Sequence, residues 1–273
     1  MVCGVKKFLM IGFVAALLVA CGDDDRNSAT RLTRNSSSSE IVFLSSSEGA
    51  NSSSEQFSSS VAYVDPSTVV TGTMTDKRDG RTYKIVKIGE QWWMAENLNF
   101  HSTKSWCYGN DGANCNKYGR LYLWGAAMDG AGMWTTNGKG CDLFKKVCSP
   151  TYPVRGICPD GWHLPMRTEW KTLITAVGDS STAGKMLRST SGWISPKGDN
   201  RNGTDEYAFT ALPAGIRFDD GDFRYDGINA LFWGSTESDG NYAYSVELYC
   251  GVDGASMYGN LKGYGFSVRC VKD

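Results

Sequence analysis

The sequence predicts one α+β domain in its C-terminal three-quarters, with short antiparallel strands outnumbering two or three helices and long loops between them. Short apolar or alternating runs separated by Gly, Asp and Asn recur from Val69 onward, which is typical of strands. Helical spacing of apolar residues is clearest between Trp170 and Val177. Seven of the nine cysteines lie after residue 100, so we expect disulfides to fix the long loops.

Residues 1–20 have the pattern of a secretory signal peptide. Lys6 and Lys7 precede an apolar run from Phe8 to Val19, which is too short to cross a membrane as a helix. The run ends in Leu18-Val19-Ala20-Cys21, which resembles a bacterial lipobox. That resemblance implies acylation of Cys21, palmitate included, and a membrane anchor. An ordinary cleaved signal with a chance cysteine is the alternative.

The residues that follow Cys21 resemble a localisation signal. Gly22 and the triplet Asp23-Asp24-Asp25 resemble the start of lipoproteins that are sent to the outer membrane and the cell surface; a solvated charge run is the alternative.

The net charge of the mature chain is slightly negative. Without residues 1–20, which hold two lysines and no acids, it has 26 basic and 29 acidic residues, a net charge of −3. This balance and the absence of a basic cluster argue against a nucleic-acid partner.

Residues 21–65 form the lipidated N-terminus and a low-complexity tether. Serine recurs in four runs, three of which end at Glu40, Glu48 and Glu55. Such a segment buries too little apolar surface to offset its ordering entropy, so we expect it to be flexible. The globular domain is expected to cover 66–273.

Within that domain the first elements are predicted to be strands. Val69–Thr75 and Thr82–Ile88 alternate, Asp79-Gly80 between them is a hairpin signal, and Gln91–Ala95 follows as a third strand. Gly119–Met128 is predicted to be a short helix.

Two helices and four strand regions are predicted for the rest of the chain. The first helix begins near residue 168 and ends before Gly178, and the second lies near Thr182–Leu187. Strand-like runs cover 207–216, 230–236, 242–249 and 264–271.

The seven cysteines of the domain allow 105 arrangements of three disulfides and one free thiol. Proximity in sequence favours Cys107–Cys115 and Cys141–Cys148, and Cys158–Cys270 would then join the two most distant anchors. Cys250 is left as the free thiol. A zinc site is the rival interpretation, but it lacks a C-x-x-C pair and has only two histidines available.

Several blocks, in this order, resemble the Fibrobacter succinogenes major paralogous domain family. They are Gly80–Gly89 with Gln91–Leu98, Lys117–Tyr122, Cys158–Pro165, Phe232–Glu237 and Gly265–Cys270, so the resemblance covers roughly 69–273. It implies a C-type-lectin-like or formylglycine-generating-enzyme-like fold and a secreted or lipoprotein context. Met166 departs from the second fold's pattern, because a small hydroxyl residue is expected there to cap the following helix.

The leading functional hypothesis is a binding module on the cell surface, without catalysis, for a polysaccharide or an envelope or protein partner. Aromatic side chains with polar neighbours suit both sugar rings and protein interfaces. The candidate ligand-binding residues are Tyr225, Tyr242, Tyr244, Tyr249 and Tyr258, and any site is expected within 217–262. Trp233 and Phe266 are expected in the core.

Two other functions are kept as alternatives, and no cofactor is expected beyond a structural calcium ion. A Cys-dependent oxidase similar to the formylglycine-generating enzyme requires Cys250 and Cys270 as free thiols. A calcium-dependent lectin would use oxygen ligands such as Asp219, Asp220 and Asp222, although an EF-hand pattern fails there. His163, which is fixed between Trp162 and Leu164-Pro165, is interpreted as structural rather than as a catalytic base.

Overall fold

The computed structural model describes residues 62–142 and 147–273. The predicted signal peptide, the lipidation site Cys21 and the tether as far as residue 61 lie outside the described residues. Within the two described ranges, no helix has the length and apolar character needed to cross a bilayer.

Thirteen strands, four α-helices and two 3-10 turns make up the described chain. The strands are β1 (Val70–Thr75), β2 (Thr82–Ile88), β3 (Gln91–Met94), β4 (Ser105–Trp106), β5 (Leu121–Leu123), β6 (Trp162–His163), β7 (Ala214–Arg217), β8 (Phe223–Asp226), β9 (Asn229–Glu237), β10 (Tyr242–Tyr249), β11 (Ala255–Leu261), β12 (Gly265–Phe266) and β13 (Val271–Lys272). The helices are α1 (Gly112–Tyr118), α2 (Trp124–Ala127), α3 (Arg167–Ala176) and α4 (Ala183–Leu187). The 3-10 turns are Pro66–Thr68 and Tyr108–Asn110.

The strands form two sheets. One has the order β1-β2-β3-β13-β6, with antiparallel pairing throughout. The other has the order β11-β10-β9-β7-β12-β5-β4, with β8 added beside β7. Helix α3 packs Trp170 between the sheets, 4.7 Å from Trp93 and 5.6 Å from Phe232 between ring centroids. The α+β class with strands in the majority is therefore confirmed.

The elements with a strong local pattern lie where the sequence placed them. The predicted strands 82–88 and 242–249 coincide with β2 and β10, and α3 buries the predicted stripe from Trp170 to Val177. Strands β4, β6, β8 and β11 and helix α1 were not predicted. Trp233 and Phe266 are fully buried, as expected, and their ring centroids are 4.2 Å apart.

The helix predicted over Gly119–Met128 is wrong in its first half. Leu121–Leu123 form β5, which bonds to both β12 and β4, and only Trp124–Ala127 are helical. The apolar residues of this segment are buried in either conformation, so their spacing did not separate a strand followed by one turn from a helix.

The strand predicted over 207–216 is shortened to β7. Before it, Ala208 and Thr210 have φ of 51° and 52°, which no regular strand accommodates. Side chains satisfy this backbone instead. The Asp205 carboxylate accepts from the Thr210 N–H at 2.6 Å, and the buried Arg269 guanidinium donates to the carbonyl of Thr210 at 2.7 Å and to that of Phe209.

The folded domain begins before residue 66, which is the start that the amino-acid composition predicts. The Val64 N–H donates to the Ala176 carbonyl at 2.8 Å, and the Val64 carbonyl accepts from the Tyr207 hydroxyl at 2.8 Å. These long-range bonds fix the chain at the C-terminal end of α3, so Val64 belongs to the domain rather than to the tether.

The N-terminus of α3 obtains its cap from another element. The Thr236 hydroxyl at the end of β9 accepts from the Arg167 N–H at 2.9 Å, and the Glu169 carboxylate accepts from the Met166 N–H at 2.8 Å. The missing hydroxyl at residue 166 is thus replaced from residue 236.

The two disulfides favoured by proximity, Cys107–Cys115 and Cys141–Cys148, are present, and so is Cys158–Cys270, which joins the two most distant anchors. Cys250 is free and buried, and burial raises the pKa of its thiol. The third disulfide joins the segment before α3 to Cys270, the residue directly before β13.

The imidazole ring of His163 contacts two carboxylates, one on Asp273 and one on Glu169 of α3. Its Nδ1 lies 2.7 Å from Asp273 Oδ1 and its Nε2 lies 2.8 Å from Glu169 Oε1. Burial lowers the pKa of His163, but the hydrogen bonds and charges of the two carboxylates outweigh it and raise the pKa above its usual value. The imidazolium donates to both partners, whereas neutral imidazole has one N–H. The structural interpretation of His163 fits these contacts.

The stabilisation by Asp273 is expected to depend on pH. Because the folded pKa of His163 is raised, its ionic contribution is complete below the unfolded pKa of about 6.5 and is lost as the pH rises through the folded value. Asp273→Asn should therefore lower the melting temperature clearly at pH 5.5 and much less at pH 9. Melting curves of both proteins across this range check it, and a pH-independent difference would contradict it.

Candidate functional site

A groove of about 510 Å³ at one end of the larger sheet combines aromatic and polar side chains. We call it the aromatic groove. Its main lining residues are Trp106, Arg217, Asp219, Asn241, Tyr242 and Leu261. The volume lies in the range of small-molecule sites, and the groove is open to solvent on one side.

Two short strands place the floor of the groove. Trp106 belongs to β4, and Arg217 is the last residue of β7, opposite Gly265 of β12. A Cβ atom at Gly265 would lie 3.0 Å from the Arg217 Cβ, so glycine leaves space for this side chain. The Arg217 guanidinium lies 3.9 Å from the Trp106 ring centroid and donates from Nη1 to the Phe218 carbonyl at 3.1 Å. Stacking holds the guanidinium plane in one orientation.

A tight turn places the opposite wall. Asp239 Oδ1 accepts from the N–H groups of Asn241 and Tyr242 at 2.8 and 3.0 Å, and the Tyr242 carbonyl accepts from the Ser238 N–H at 2.9 Å. The Asn241 carbonyl also accepts from the Lys262 N–H at 3.0 Å. Asn241 and Tyr242 are therefore held in place before any ligand arrives.

A row of aromatic rings connects the groove to Tyr225. The Phe218 ring centroid lies 5.0 Å from that of Tyr264 and 6.0 Å from that of Tyr225. Burial raises the pKa of Tyr264, and the nearby Asp219 carboxylate adds to the increase. Tyr225 is exposed and has φ of 71°.

Of the five candidate tyrosines, Tyr242 lines the groove, whereas Tyr225 and the other three do not. Tyr244 lies under the Arg167 guanidinium, whose carbon is 4.2 Å from the ring centroid. Tyr258 bonds to Glu247 through its hydroxyl, and burial raises the pKa of that carboxyl. Tyr249 stands on the face of β10 opposite Tyr242, because the two residues are an odd number of positions apart.

The three aspartates proposed for calcium do not all face one point. Asp220 and Asp222 bind the Arg224 guanidinium at 3.3 and 2.8 Å, whereas Asp219 lines the aromatic groove. In residues 62–142 and 147–273, no three His, Cys, Asp or Glu side chains form a group suited to a metal ion. The acid-rich segment is accounted for by turn and ion-pair contacts.

The cysteines relevant to an oxidase are also placed. Cys270 is bonded to Cys158, so it is not available to Cys250 as a second free thiol in this structure. The pair that the oxidase alternative requires is therefore not assembled here.

The blocks that carry the resemblance occupy structural positions around these features. Cys158–Pro165 runs from the long disulfide through β6 to the start of α3, and Phe232–Glu237 makes up most of β9. A family model described as the Fibrobacter succinogenes major domain matches residues 86–272. The chain belongs to this family. No curated protein and no solved structure matched the chain.

Sequence reasoning missed part of the groove in this family member. Trp106 and Leu123 lie outside 217–262, in strands of two and three residues that carry no periodic signal. Asn241 follows a Ser-Asp-Gly turn and resembles any turn residue. One sequence feature does indicate this part of the groove: Trp106 lies beside Cys107, in a segment that a disulfide fixes.

Proposed function

We propose that this protein is a lipid-anchored protein of the outer membrane, exposed at the cell surface, whose domain binds polysaccharide without catalysing a reaction. We infer a C-type-lectin-like or formylglycine-generating-enzyme-like arrangement for the domain. One observation carries the binding proposal: Tyr242 is exposed in a groove that Arg217, Asp219 and Asn241 also line.

This combination suits the two kinds of surface on a sugar ring. The C–H face of a pyranose packs on an aromatic ring such as that of Tyr242. Hydroxyl groups around the ring both donate and accept, and they can pair with a carboxylate, an amide and a guanidinium. A surface protein partner with an aromatic anchor is the alternative, since aromatic side chains with polar neighbours also form protein interfaces.

Binding of immobilised glycans by the full chain tests the proposal. The panel should contain cellulose, hemicelluloses and a glycan array, each with and without a chelator. Retention on a glycan supports it, and retention on none sinks it. Loss of binding after chelation would favour the calcium-dependent lectin, with Asp219, Asp220 and Asp222 as the first candidates.

Tyr242→Ala is expected to weaken glycan binding about tenfold or more, because one stacked ring contributes roughly 1–3 kcal/mol. Tyr249→Ala is the matched control. The two side chains are 40% and 37% exposed on the same strand, and only Tyr242 lines the groove. Affinity electrophoresis of both variants measures the difference. Equal losses would place the binding surface elsewhere.

A further inference from the structure

A second groove lies on the same face of β11 as the aromatic groove. We call it the basic groove. It has a volume of about 420 Å³ between α3 and β11, and it is lined by Arg167, Lys171, Ile174, Ser180, Ala255 and Met257. Its lining includes two cations, Arg167 and Lys171, beside the apolar Ile174 and Met257, and no carboxylate lines it.

The strand register connects the two grooves. β10 and β11 pair without interruption, with Tyr242 opposite Leu261, Tyr244 opposite Gly259 and Val246 opposite Met257. Side chains two residues apart share a face of a strand, so Met257 and Leu261 point to the same side. Four residues of strand separate the grooves by roughly 13 Å, a length that spans two or three sugar units.

The path between the grooves is open on the β11 side. Gly259 carries no side chain at the midpoint, Tyr244 faces it from β10, and the small side chain of Ser238 lies over it, 3.3 Å from where a Cβ atom would be. The Tyr244 ring is half-buried beneath the Arg167 guanidinium. The two grooves thus repeat one device, a guanidinium stacked on an aromatic ring: Arg217 on Trp106 and Arg167 on Tyr244.

The cations of the basic groove have no carboxylate partner among the described residues. Neither Arg167 nor Lys171 takes part in an ion pair there. The nearest acids of the adjoining loops are engaged elsewhere. Asp179 accepts from Ser181 and Thr182, and Asp253 pairs with Lys185 and Arg188. The guanidinium fork of Arg167 is therefore available to an anion from outside.

We propose that the two grooves form one track for an acidic polysaccharide, with a neutral sugar at Tyr242 and an anionic substituent at Arg167 and Lys171. This inference rests on the proposed function and names its ligand class. Asp219 offsets the charge of Arg217 in the aromatic groove, whereas no carboxylate lines the basic groove, and this difference sets the direction of the chain. The anion is a carboxylate, as in a uronic acid, or a sulfate, since both match a guanidinium fork and an ammonium.

The test compares polymers that differ in charge, using the full chain. The probes are polygalacturonate, its uncharged methyl ester, and dextran sulfate beside neutral dextran. We expect the wild type to bind one or both acidic polymers roughly tenfold more tightly than the neutral counterpart, with a preference that falls as salt is added. Binding of polygalacturonate alone assigns the carboxylate source, and binding of dextran sulfate alone assigns the sulfate source.

Arg167→Gln combined with Lys171→Gln should abolish that preference, so that the variant binds acidic and neutral polymers about equally. Lys197→Gln with Arg201→Gln is the control, because it removes the same charge from exposed residues outside both grooves. A loss of equal size in the control would overturn the track in favour of bulk charge. Binding of neutral glycans with no acidic preference would also overturn it, while the proposed function stands. Binding of no glycan at all rejects the proposed function itself.

Discussion

Cys158→Ser combined with Cys270→Ser is expected to lower the free energy of unfolding by about 5 kcal/mol. The disulfide closes a loop with a sequence separation of 112, and the entropy removed from the unfolded chain rises with the length of the loop. Both residues are fully buried where β6, β13 and the start of α3 meet. A loss of this size is comparable to the whole stability of many domains. Urea unfolding followed by tryptophan fluorescence measures it.

Cys107→Ser combined with Cys115→Ser is the control, because it removes the same chemical bond from a short loop. The sequence separation is 8, for which the same relation gives about 2.5 kcal/mol. The long bond should therefore cost about twice as much as the short one. Equal losses in the two double variants would contradict the loop-length explanation and point to local packing of the sulfur atoms instead.

Local patterns were enough to predict the elements that carry their own signal. Helix α3 has its apolar stripe and Gly178 as its stop, and β2 and β10 alternate over seven and eight residues. Two disulfides followed from proximity because their loops are short, and the third was then the pair of the most distant remaining cysteines. In each case the deciding interactions are between residues close in sequence or between covalent partners.

Other elements depend on contacts that the sequence does not display. β5 has three residues and exists because β4 and β12 lie on either side of it. The segment before β7 is held by Asp205 and Arg269, which are 64 residues apart in the chain. No window of sequence contains both partners, so the periodic pattern of 207–216 was extended too far.

The candidate site shows the same division. Tyr242 was identified from its type and neighbours, but its association with Trp106 and Arg217 joins β10 to β4 and β7, which are far apart in the chain. The period-2 pattern of 242–246 correctly put Tyr242, Tyr244 and Val246 on one face. On that face Val246 is buried under α3, whereas Tyr242 lies beyond α3 and is exposed. The exposure of each side chain therefore depends on the position of α3.

Lys262→Met is expected to lower the free energy of unfolding by about 3–5 kcal/mol, because it leaves a buried carboxylate without its cation. Lys262 is 0% exposed and binds Glu237, whose second oxygen accepts from the Cys148 N–H at 2.9 Å. The Lys262 Nζ also donates to the Gly240 carbonyl at 3.0 Å and lies 4.6 Å from the Trp124 ring centroid. Urea unfolding of the variant checks the loss.

Adding Glu237→Gln to Lys262→Met separates two roles of the lysine. The double variant has no unpaired charge, and glutamine can still accept from Cys148, so we expect it to regain most of the lost stability. Glycan binding should be weakened in Lys262→Met and should stay weakened in the double variant. Gly240 belongs to the turn that carries Asn241 and Tyr242, and the lysine bond to its carbonyl is absent in both variants. Recovery of binding together with stability would show that the unpaired Glu237 carboxylate, and not the lost bond to the Gly240 carbonyl, disturbs the aromatic groove in Lys262→Met.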